Sequence, residues 1–437
     1  MIHSAYPDYR ASEVVWLDKV PSHWANVPIK YMALEKESLF LDGDWIESKD
    51  ISGNEIRYIT TGNVGEGSYK EQGTGFIAEE KFKQLDCTEV FEGDILISRL
   101  NAPIGRSCIV PNLNSRVVTS VDNVIFRADK KYNKQFIVHL FSSKDYFKHT
   151  SNLARGATMQ RISRGLLGNI RVVIPPYEEQ QIIANFLDHE TAKIDTLIEK
   201  QQQLIKLLKE KRQAVISHAV TKGFNPNAPM RDSGVEWLGE VPKGWKSVAI
   251  KRIFNQEKRQ EFPDLEVLSV YRDYGVIKKS SRDDNNNKTP ENLTMYQLVE
   301  VGDMVINKMK AWQGSLGISD YVGITSPDYV VYRSVHGEHG RFLHYLLRSQ
   351  MMPDVYRSIS NGIRPSQWRL EPEKFEQLML FLPPMNEQKL IVDHIESQFK
   401  KYDGLIDNCQ VAIGFMQERR TGLISAAVTG KIDVRNW

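Results

Sequence analysis

Two stretches of the chain carry hydrophobic residues at the seven-residue spacing of a coiled coil and contain no proline. The first begins after Pro176, and neither Pro nor Gly occurs in it before Gly223. Glu and Lys occupy the flanks of both seams. The pattern predicts a long helix over residues 178–221 and another over 386–429. The first seam contains Leu187, Ile194, Leu197, Leu204, Leu208 and Val215, and the second contains Ile395, Gln398, Tyr402, Leu405, Cys409, Ala412, Met416, Leu423 and Ala426.

These two helices are too long for one small domain to cover. About 44 residues at ~1.5 Å per residue span roughly 65 Å. A Pro-Pro pair stands just before each start, and acidic residues such as Glu179 and Glu387 lie in the first turn, as suits a helix N-terminus. We therefore expect each helix to pack antiparallel against the other, in a coiled coil that separates two globular regions.

The regions before the two helices alternate short β-like runs with clusters of turn residues. In the second region the runs are residues 267–271, 303–306 and 329–332, and a helix is expected near 342–347. Each region has about 150 residues, the size of one domain. The predicted fold class is α+β, with two pseudo-symmetric mixed α/β domains separated by a long antiparallel two-helix coiled coil. The expected limits are 1–174 and 223–382 for the domains, 175–222 and 383–430 for the helices, and 431–437 for a C-terminal tail.

The two halves also repeat each other's sequence, which supports the pseudo-symmetry. The pattern Trp-Leu…Val-Pro-x-x-Trp begins at Trp16 and returns 221 positions later at Trp237. Its second tryptophans are Trp24 and Trp245. We predict that these four tryptophans are structural and pack the start of each domain against a helix end.

The repeat continues through the long helices in a fixed register. Pro-Pro-x-x-Glu-Gln occupies 175–180 and 383–388, and the spacing of 208 then holds to Ser-x-Ala-Val-Thr at 217–221 and 425–429. After that point Lys222-Gly223 does not match Gly430-Lys431. The two helices are therefore expected to end differently.

Composition limits the classes of partner and site. The 437 residues include 57 Lys and Arg against 55 Asp and Glu, a net charge of +2, so any nucleic-acid contact must come from local basic clusters. Cys87, Cys108 and Cys409 form no CxxC or Cys/His cluster, which argues against a zinc site or a disulfide framework. The N-terminal segment has no apolar core, and no run approaches ~18 apolar residues. We expect an intracellular, cytoplasmic protein without a membrane span.

The motifs give little support to catalysis. Residues 174–177, Ile-Pro-Pro-Tyr, resemble the Asn/Asp-Pro-Pro-Tyr signature of adenine methyltransferases, but isoleucine offers no polar oxygen to the amino group that is methylated. No GxxxxGK[ST] loop is present to hold a triphosphate. We expect no catalytic residue and no metal site in this chain. A self-contained adenine DNA methyltransferase is the enzyme alternative, and it would require a cofactor loop.

The loops, in contrast, combine side chains that can bind the edges of DNA bases. Arg and Lys can address guanine N7 and O6, while Asn and Gln can pair with adenine N6 and N7. Three such segments recur at equivalent places in each half. The predicted DNA-binding residues are Thr61, Asn63, Arg99, Asn101, Arg106, Thr158, Gln160 and Arg161 in the first half, and Arg272, Tyr274, Lys278, Lys279, Asn307, Lys308, Lys310, Trp312, Arg364, Ser366, Gln367, Trp368 and Arg369 in the second.

These residues and motifs together resemble the specificity subunit of Type I restriction-modification systems, over essentially the whole chain. The resemblance rests on the two Pro-Pro-x-x-Glu-Gln helix starts, the two tryptophan-containing domain starts and the Ser-x-Ala-Val-Thr helix ends. The family implies two target-recognition domains, here 1–174 and 223–382, each of which reads one half of a split DNA site. Paired helices would set the gap between the halves. Different loop residues in the two domains would make the site asymmetric.

The resemblance also implies partners and locates the chemistry outside this chain. Two modification subunits, which hold S-adenosylmethionine and methylate adenine, would dock on it, and two restriction subunits that use ATP and Mg²⁺ would join them. The chain itself would be a non-enzymatic scaffold that binds double-stranded DNA and no cofactor. The assembled complex would be a Type I site-specific deoxyribonuclease and adenine DNA methyltransferase. A coiled-coil scaffold with two protein-binding heads is the structural alternative.

Overall fold

The computed structural model describes residues 4–73, 75–156, 158–282, 289–364 and 368–437. Its contacts divide the chain into two compact units. Unit 1 consists of residues 1–201 and 411–437, and unit 2 consists of residues 202–410. Each unit therefore contains one globular region, the start of one long helix and the end of the other.

Unit 1 is built from short strands and helices, followed by a long helix. Its strands are β1 (Tyr9–Ala11), β2 (Lys19–Pro21), β3 (Ala25–Pro28), β4 (Leu39–Asp42), β5 (Ile56–Ile59), β6 (Gly75–Ile77), β7 (Ile95–Ser98), β8 (Ser107–Ile109), β9 (Arg116–Thr119), β10 (Asn123–Arg127) and β11 (Arg171–Ile174). Its helices are α1 (Glu79–Gln84), α2 (Lys134–Leu140), α3 (Lys144–Leu153), α4 (Arg164–Asn169) and the first part of α5 (Tyr177–Lys222).

The main sheet of unit 1 is antiparallel, in the order β4-β10-β7-β8. Both of its faces are covered, because its central strands carry apolar residues on each side. Ile95 and Phe126 belong to the large core that includes the helices, whereas Leu96 and Ile125 pack with residues of a second sheet, β6-β5-β9. This alternation follows the two-residue period of a strand.

Unit 2 has the same plan, and the chain passes through it into a second long helix. Its strands are β12 (Met230–Asp232), β13 (Glu240–Pro242), β14 (Lys246–Ala249), β15 (Phe254–Gln256), β16 (Leu268–Tyr271), β17 (Gly275–Lys278), β18 (Gln297–Val299), β19 (Met304–Asn307), β20 (Leu316–Ile318), β21 (Gly323–Thr325), β22 (Tyr329–Ser334), β23 (Ser360–Asn361), β24 (Arg369–Leu370) and β25 (Met379–Leu382). Its helices are α6 (Gly340–Leu347), α7 (Met352–Ser358), α8 (Pro372–Glu376) and the first part of α9 (Met385–Val428).

The main sheet of unit 2 repeats that of unit 1, in the order β15-β22-β19-β20. Met304 and Tyr332 face the core that contains the helices, while Val305 and Val331 pack against the hairpin β16–β17 and strand β18. The runs that the sequence predicted as strands coincide with β16, β19 and β22, and the expected short helix is α6. The two-domain α+β class is therefore confirmed.

Each unit has its own large hydrophobic core, to which the long helices contribute. In unit 1 the core contains Phe136 and Tyr146 of the short helices with Leu187 of α5 and Val428 of α9. In unit 2 an equivalent core includes Ile395 of α9. None of the helices in the described ranges carries a stretch apolar enough to span a membrane.

The repeated Glu-Gln motif fixes the start of each long helix in the same way. Gln180 donates through Nε2 to the carbonyl of Pro175 at 2.9 Å and accepts from the main-chain N–H of Asn133 at 2.7 Å. In unit 2, Gln388 binds the carbonyl of the equivalent proline and the main-chain N–H of His339, both at 2.9 Å. Buried polar contacts therefore join each long helix to the residue that precedes α2 or α6.

The tryptophans of the repeat have the structural role that the sequence predicted. Trp24 is 1% exposed, and its indole N–H donates to the carboxylate of Glu179 in the first turn of α5 at 3.0 Å. Trp245 makes the equivalent bond to Glu387 at 3.3 Å. The first tryptophan of each repeat packs, partly buried, against the same core.

Within each unit the long helices contact each other in antiparallel orientation. In unit 1 the early part of α5 faces the late part of α9, where Arg420 Nε donates to Asp195 at 2.9 Å. In unit 2 the late part of α5 faces the early part of α9, where Leu208 packs against Tyr402 and Ile406. Leu208 and Tyr402 belong to the predicted seams, whereas Asp195 and Arg420 lie outside them.

Each long helix ends close to a glycine, and by the spacing of 208 the two glycines stand one position apart in the repeat. Helix α5 ends at Lys222 and α9 at Val428, and Gly223 and Gly430 follow them with left-handed φ angles of 72°. Such a conformation favours glycine at a helix end. A Cβ atom on Gly430 would lie 2.4 Å from Pro21, so this position also excludes a side chain by contact.

Candidate nucleic-acid interface

The three predicted segments of unit 1 meet at one place in the fold. The main-chain N–H of Asn101 donates to the carbonyl of Gln160, and that of Ile162 to the carbonyl of Arg99, each at 3.0 Å. These bonds join the connection between β7 and β8 to the segment before α4. The side chain of Arg106 adds the third segment, since Nη2 donates to the carbonyl of Thr61 at 2.9 Å.

Arg106 holds these segments through their main chain. Its guanidinium donates to the carbonyls of five residues: Thr61, Val64, Leu100, Asn101 and Pro103. Burial lowers the pKa of this guanidinium, yet arginine keeps its proton at neutral pH. Sequence reasoning singled out Arg106 as a DNA contact, whereas the structure gives it the role of a clamp on the loops.

Two further predicted residues lie inside the protein. Arg99 is 4% exposed and donates to the carbonyls of Ile162 and Val121, and its Nε lies 3.0 Å from Asp42. Asn63 is 3% exposed. Its side chain caps its own turn and donates to two carbonyls of residues 70–72. Because buried side chains do not reach a base edge, both residues support the loops in this conformation, contrary to the expectation.

The other predicted residues of unit 1 lie at the surface, around the segments that Arg106, Arg99 and Asn63 hold together. Asn101 is exposed in a left-handed conformation, with φ of 60°, at the tip of the connection between β7 and β8. Thr158, Gln160 and Arg161 are exposed, and Arg161 pairs with Asp122 at 2.7 Å. An asparagine and a glutamine therefore stand on two main-chain segments that a hydrogen bond joins.

In unit 2 the first two predicted segments line one groove of about 910 Å³. The hairpin β16–β17 supplies Tyr271, Arg272 and Tyr274, the end of β19 supplies Asn307, and the loop after it supplies Lys310. Burial raises the pKa of Tyr329 at the wall of the groove, so this phenol stays neutral. The groove thus combines aromatic, amide and cationic side chains.

The third segment of unit 2 packs beside the second. The main-chain N–H of Leu370 donates to the carbonyl of Lys308 at 3.1 Å, and the rings of Trp312 and Trp368 meet edge to face at 5.4 Å. Arg364 and Arg369 are exposed. The predicted residues Ser366 and Gln367 lie outside the described residues.

Several cations of unit 2 have partners close by. Lys278 pairs with Glu266 at 2.8 Å, Lys279 donates to Thr289 at 2.6 Å, and Arg272 pairs with Asp273 at 3.1 Å. All three partners are exposed on the protein surface. Ion pairs and hydrogen bonds at exposed positions are weak, so a DNA phosphate can replace these partners.

Arg348, which sequence reasoning missed, has in unit 2 the role of Arg106. Its guanidinium donates to the carbonyls of Tyr271, Arg272, Gly314 and Leu316, which joins the hairpin to the strand β20. Burial lowers its pKa to about 10, so it remains charged at neutral pH. The residue directly follows α6, where no loop motif draws attention to it.

Both units therefore hold loops of different sequence in the same way, by a partly buried guanidinium bound to main-chain carbonyls. Exposed amides and cations stand on these loops. Such side chains, fixed in position, can form bidentate hydrogen bonds with base edges in the major groove.

Comparison with known proteins also indicates two equivalent DNA specificity domains. The family model for the Type I restriction modification DNA specificity domain matches residues 36–207 and again residues 242–406. The Type I restriction enzyme StySPI specificity subunit of Salmonella potsdam is 21% identical over 95% of this chain and 90% of its own length.

Two solved structures share the fold. One is a chain from a structure concerned with complex assembly and conformational transition of the type I R-M system, with a TM-score of 0.61 and 17% identity over 95% of this chain and 100% of that one. The other is the HsdS subunit from Thermoanaerobacter tengcongensis, with a TM-score of 0.52 and 15% identity over 94% of this chain and 98% of that one. Since the family model matches most of the sequence in two copies, one in each half, this chain belongs to the Type I restriction modification DNA specificity family.

Proposed function

We propose that the two units read the two halves of a split, asymmetric DNA site. One observation carries this proposal: each unit clamps its loops with a partly buried guanidinium, while the exposed side chains on those loops differ. Unit 1 presents Asn101, Gln160 and Arg161, whereas unit 2 presents Lys310, Arg364 and Arg369. Amides favour adenine and cations favour guanine, so the two half-sites should differ in sequence.

We assign the base contacts to residues of the predicted set that are exposed or partly exposed. In unit 1 these are Asn101, Thr158, Gln160 and Arg161, with Thr61 at the edge. In unit 2 they are Tyr274, Asn307, Lys310, Arg364 and Arg369, together with Gln367 on sequence grounds. Arg272, Lys278, Lys279 and Lys308 are assigned to phosphates, and Trp312 and Trp368 to support of the loop.

The long helices are proposed to set the gap between the half-sites. Helices α5 and α9 have 46 and 44 residues, which at ~1.5 Å per residue is long enough to hold two reading domains one DNA turn apart, ~34 Å. In this proposal the domains are residues 1–174 and 223–382, the spacer helices are 175–222 and 383–430, and residues 431–437 form a tail.

We further propose that the chain works as a scaffold without cofactors. Two modification subunits would supply S-adenosylmethionine chemistry, and two restriction subunits would supply ATP-dependent, Mg²⁺-dependent translocation and cleavage. The relatives are named specificity subunits, which supports a role in an assembly whose catalytic parts are other chains. A cytoplasmic location is part of the same proposal.

Deleting one heptad from each long helix tests the spacer and the reading domains together. The deletion removes residues 202–208 from α5 and the facing residues 404–410 from α9. We expect the methylated site, read from the methylome of cells that carry the chain and its partners, to keep both half-site sequences and to change only in its gap. Altered half-site sequences would contradict the proposal.

A matched control is the chain with exposed Lys200 and Lys211 of α5 changed to Gln, which alters the helix surface but not its length. Its site should have the unaltered gap. Crosslinking of S-adenosylmethionine to the isolated chain would instead support the methyltransferase alternative. A lack of any DNA protection by the chain with its partners would favour the protein-binding scaffold.

A further inference from the structure

A second groove in unit 2, of about 980 Å³, adjoins the one that the reading loops form. We call it the basic groove. The residues that line both grooves are Arg272, Asp273, Tyr274 and Gln313. From there the basic groove extends to the long helix α5, where Lys209 and Arg212 line it. The surface assigned above to DNA therefore continues onto a helix that was predicted only as a spacer.

Three of the arginines in the basic groove are compensated by carboxylates. Arg272 pairs with Asp273 at 3.1 Å, and Arg341 with Asp320 at 2.9 Å. The guanidinium of Arg212 lies 3.9 Å from the ring centre of Phe399, and 3.8 Å separates it from a carboxylate of α9. These three arginines shape the walls of the groove but add little net charge to it, because a carboxylate lies close to each.

Two other cations of the groove have no such compensation. Arg348 binds main-chain carbonyls, and within the described ranges no carboxylate lies at ion-pair distance from it. Lys209 is exposed and forms no ion pair with any residue that the structure describes. His344, also in the lining, is neutral at physiological pH because burial lowers its pKa to about 3. The groove therefore has an excess of positive charge next to low-dielectric walls, which focus its field.

The helix positions of unit 1 lack this excess. Arg420 pairs with Asp195 at 2.9 Å, as Arg212 pairs with its own aspartate in unit 2. By the spacing of 208, Gln417 of α9 stands where Lys209 stands in α5. Both units thus have the same Arg–Asp ion pair between the long helices, whereas the uncompensated lysine occurs at this helix position in unit 2 alone.

The globular part of unit 1 differs at the equivalent place as well. The main-chain N–H of Gln350 donates to the hydroxyl of Ser217, and that of Lys144 to the hydroxyl of Ser425. This equivalence puts Ser142 of unit 1 at the position of the partly buried Arg348. Unit 1 has an exposed lysine, Lys144, where unit 2 has Gln350. The positive charge at this place is therefore smaller in unit 1 than in unit 2, and it lies at a different position.

This asymmetry indicates which ligand the basic groove fits. Two copies of one protein partner would need equivalent docking surfaces on both units, whereas an asymmetric DNA site presents different surroundings to each. We propose that the basic groove binds the phosphate backbone of DNA beside the half-site read by unit 2, with Lys209 of α5 as a direct phosphate contact. The inference rests on the proposed function, because it extends the same DNA surface.

The test uses Lys209→Gln, which gives α5 the residue that unit 1 has. The chain is assembled with its modification partners, and its affinity for a labelled duplex is measured over a range of salt concentrations. Loss of one phosphate contact should reduce the slope of log K against log salt by ~0.9. Affinity for the recognised duplex and for a duplex with one altered half-site should fall by the same factor.

The matched control is Lys211→Gln. Two positions further along the helix, at about 200° around its axis, this exposed lysine faces away from the basic groove. Its slope should equal that of the unaltered chain. An unchanged slope for Lys209→Gln, or equal loss in both variants, would overturn the inference.

Two other outcomes are separable from these. Loss of the modification subunits from Lys209→Gln, seen by native mass spectrometry, would make the groove a protein-docking surface and also overturn the inference. If the unaltered complex does not prefer its recognised duplex over a scrambled one, the proposed function itself fails, whatever the salt slopes are.

Discussion

The indole N–H of Trp24 donates a hydrogen bond to the carboxylate of Glu179 at 3.0 Å. The same carboxylate accepts from the hydroxyl of Tyr6 at 2.7 Å and lies 2.8 Å from His23. Glu179 is 6% exposed, so one buried acid in the first turn of α5 binds three side chains from the start of the domain. This carboxylate therefore joins the first residues of unit 1 to the start of α5.

Replacing Glu179 with Ala should therefore destabilise unit 1. The change leaves the buried donors of Tyr6 and Trp24 without an acceptor, at a cost of about 2–4 kcal/mol. Peptide-resolved hydrogen exchange would show the loss as reduced protection in the strands and helices of unit 1. Glu387→Ala is the matched control in unit 2. Because Glu387 accepts one indole bond at 3.3 Å and is less buried, its loss should cost about 1 kcal/mol, and equal losses would contradict this account.

Arg106→Lys should impair the reading of one half-site only. A lysine ammonium has three donors on a flexible stem and cannot reproduce the five carbonyl bonds of the guanidinium. We expect the complex to lose discrimination against base changes in the half-site read by unit 1 and to keep it in the other. Binding to duplexes with one altered half-site measures this. Arg116→Lys, which changes an exposed ion pair of the same unit, should leave discrimination intact.

Arg364→Ala and Gln160→Ala should act on opposite half-sites. Both side chains are exposed on the loops, and loss of a good base contact costs about 1–3 kcal/mol at one position of the site. Arg364→Ala should relax the half-site of unit 2 and Gln160→Ala that of unit 1, as judged by binding to all single-base variants of the site. Equal weakening on every duplex would instead identify the residue as a phosphate contact.

His344 should make the stability of unit 2 fall in acid. Burial lowers its folded-state pKa from 6.5 to about 3, so below pH 6.5 the unfolded chain binds a proton that the folded chain does not. Stability is therefore complete above pH 6.5 and is lost as pH falls toward 3, by about 2 kcal/mol between pH 7 and pH 5. His344→Gln should remove this part of the pH dependence, measured as hydrogen-exchange protection of unit 2 at both pH values. An identical dependence in the variant would exclude His344 as its source.

Much of the frame could be predicted from the sequence because it depends on local patterns. The long helices follow from an uninterrupted heptad pattern, and the strands β16, β19 and β22 follow from short β-branched runs. The role of Trp24 was predicted because a repeated tryptophan without a catalytic neighbour is usually part of a core. These features depend on residue type and spacing, which a sequence displays directly.

The candidate site was harder to predict, because residue type does not give the direction of a side chain. Arg99 and Asn63 have the chemistry of base readers but point into the protein, while Arg348 lies outside every polar loop motif. Arg127 shows the same limit. It pairs with Asp94 in unit 1, but in unit 2 the corresponding Asp303 binds Arg259, not the residue that the repeat aligns with Arg127. Pairings between distant segments are set by packing, which one sequence does not reveal.

Arg106 and Arg348 hold the loops by carbonyl oxygens, which every amino acid possesses. These hydrogen bonds therefore do not depend on which side chains the loops carry. Substitutions at the exposed positions can change which bases are bound without dismantling the support beneath them. New sequence preferences are thus accessible to this scaffold by a few surface changes in one half, while the other half keeps its own target.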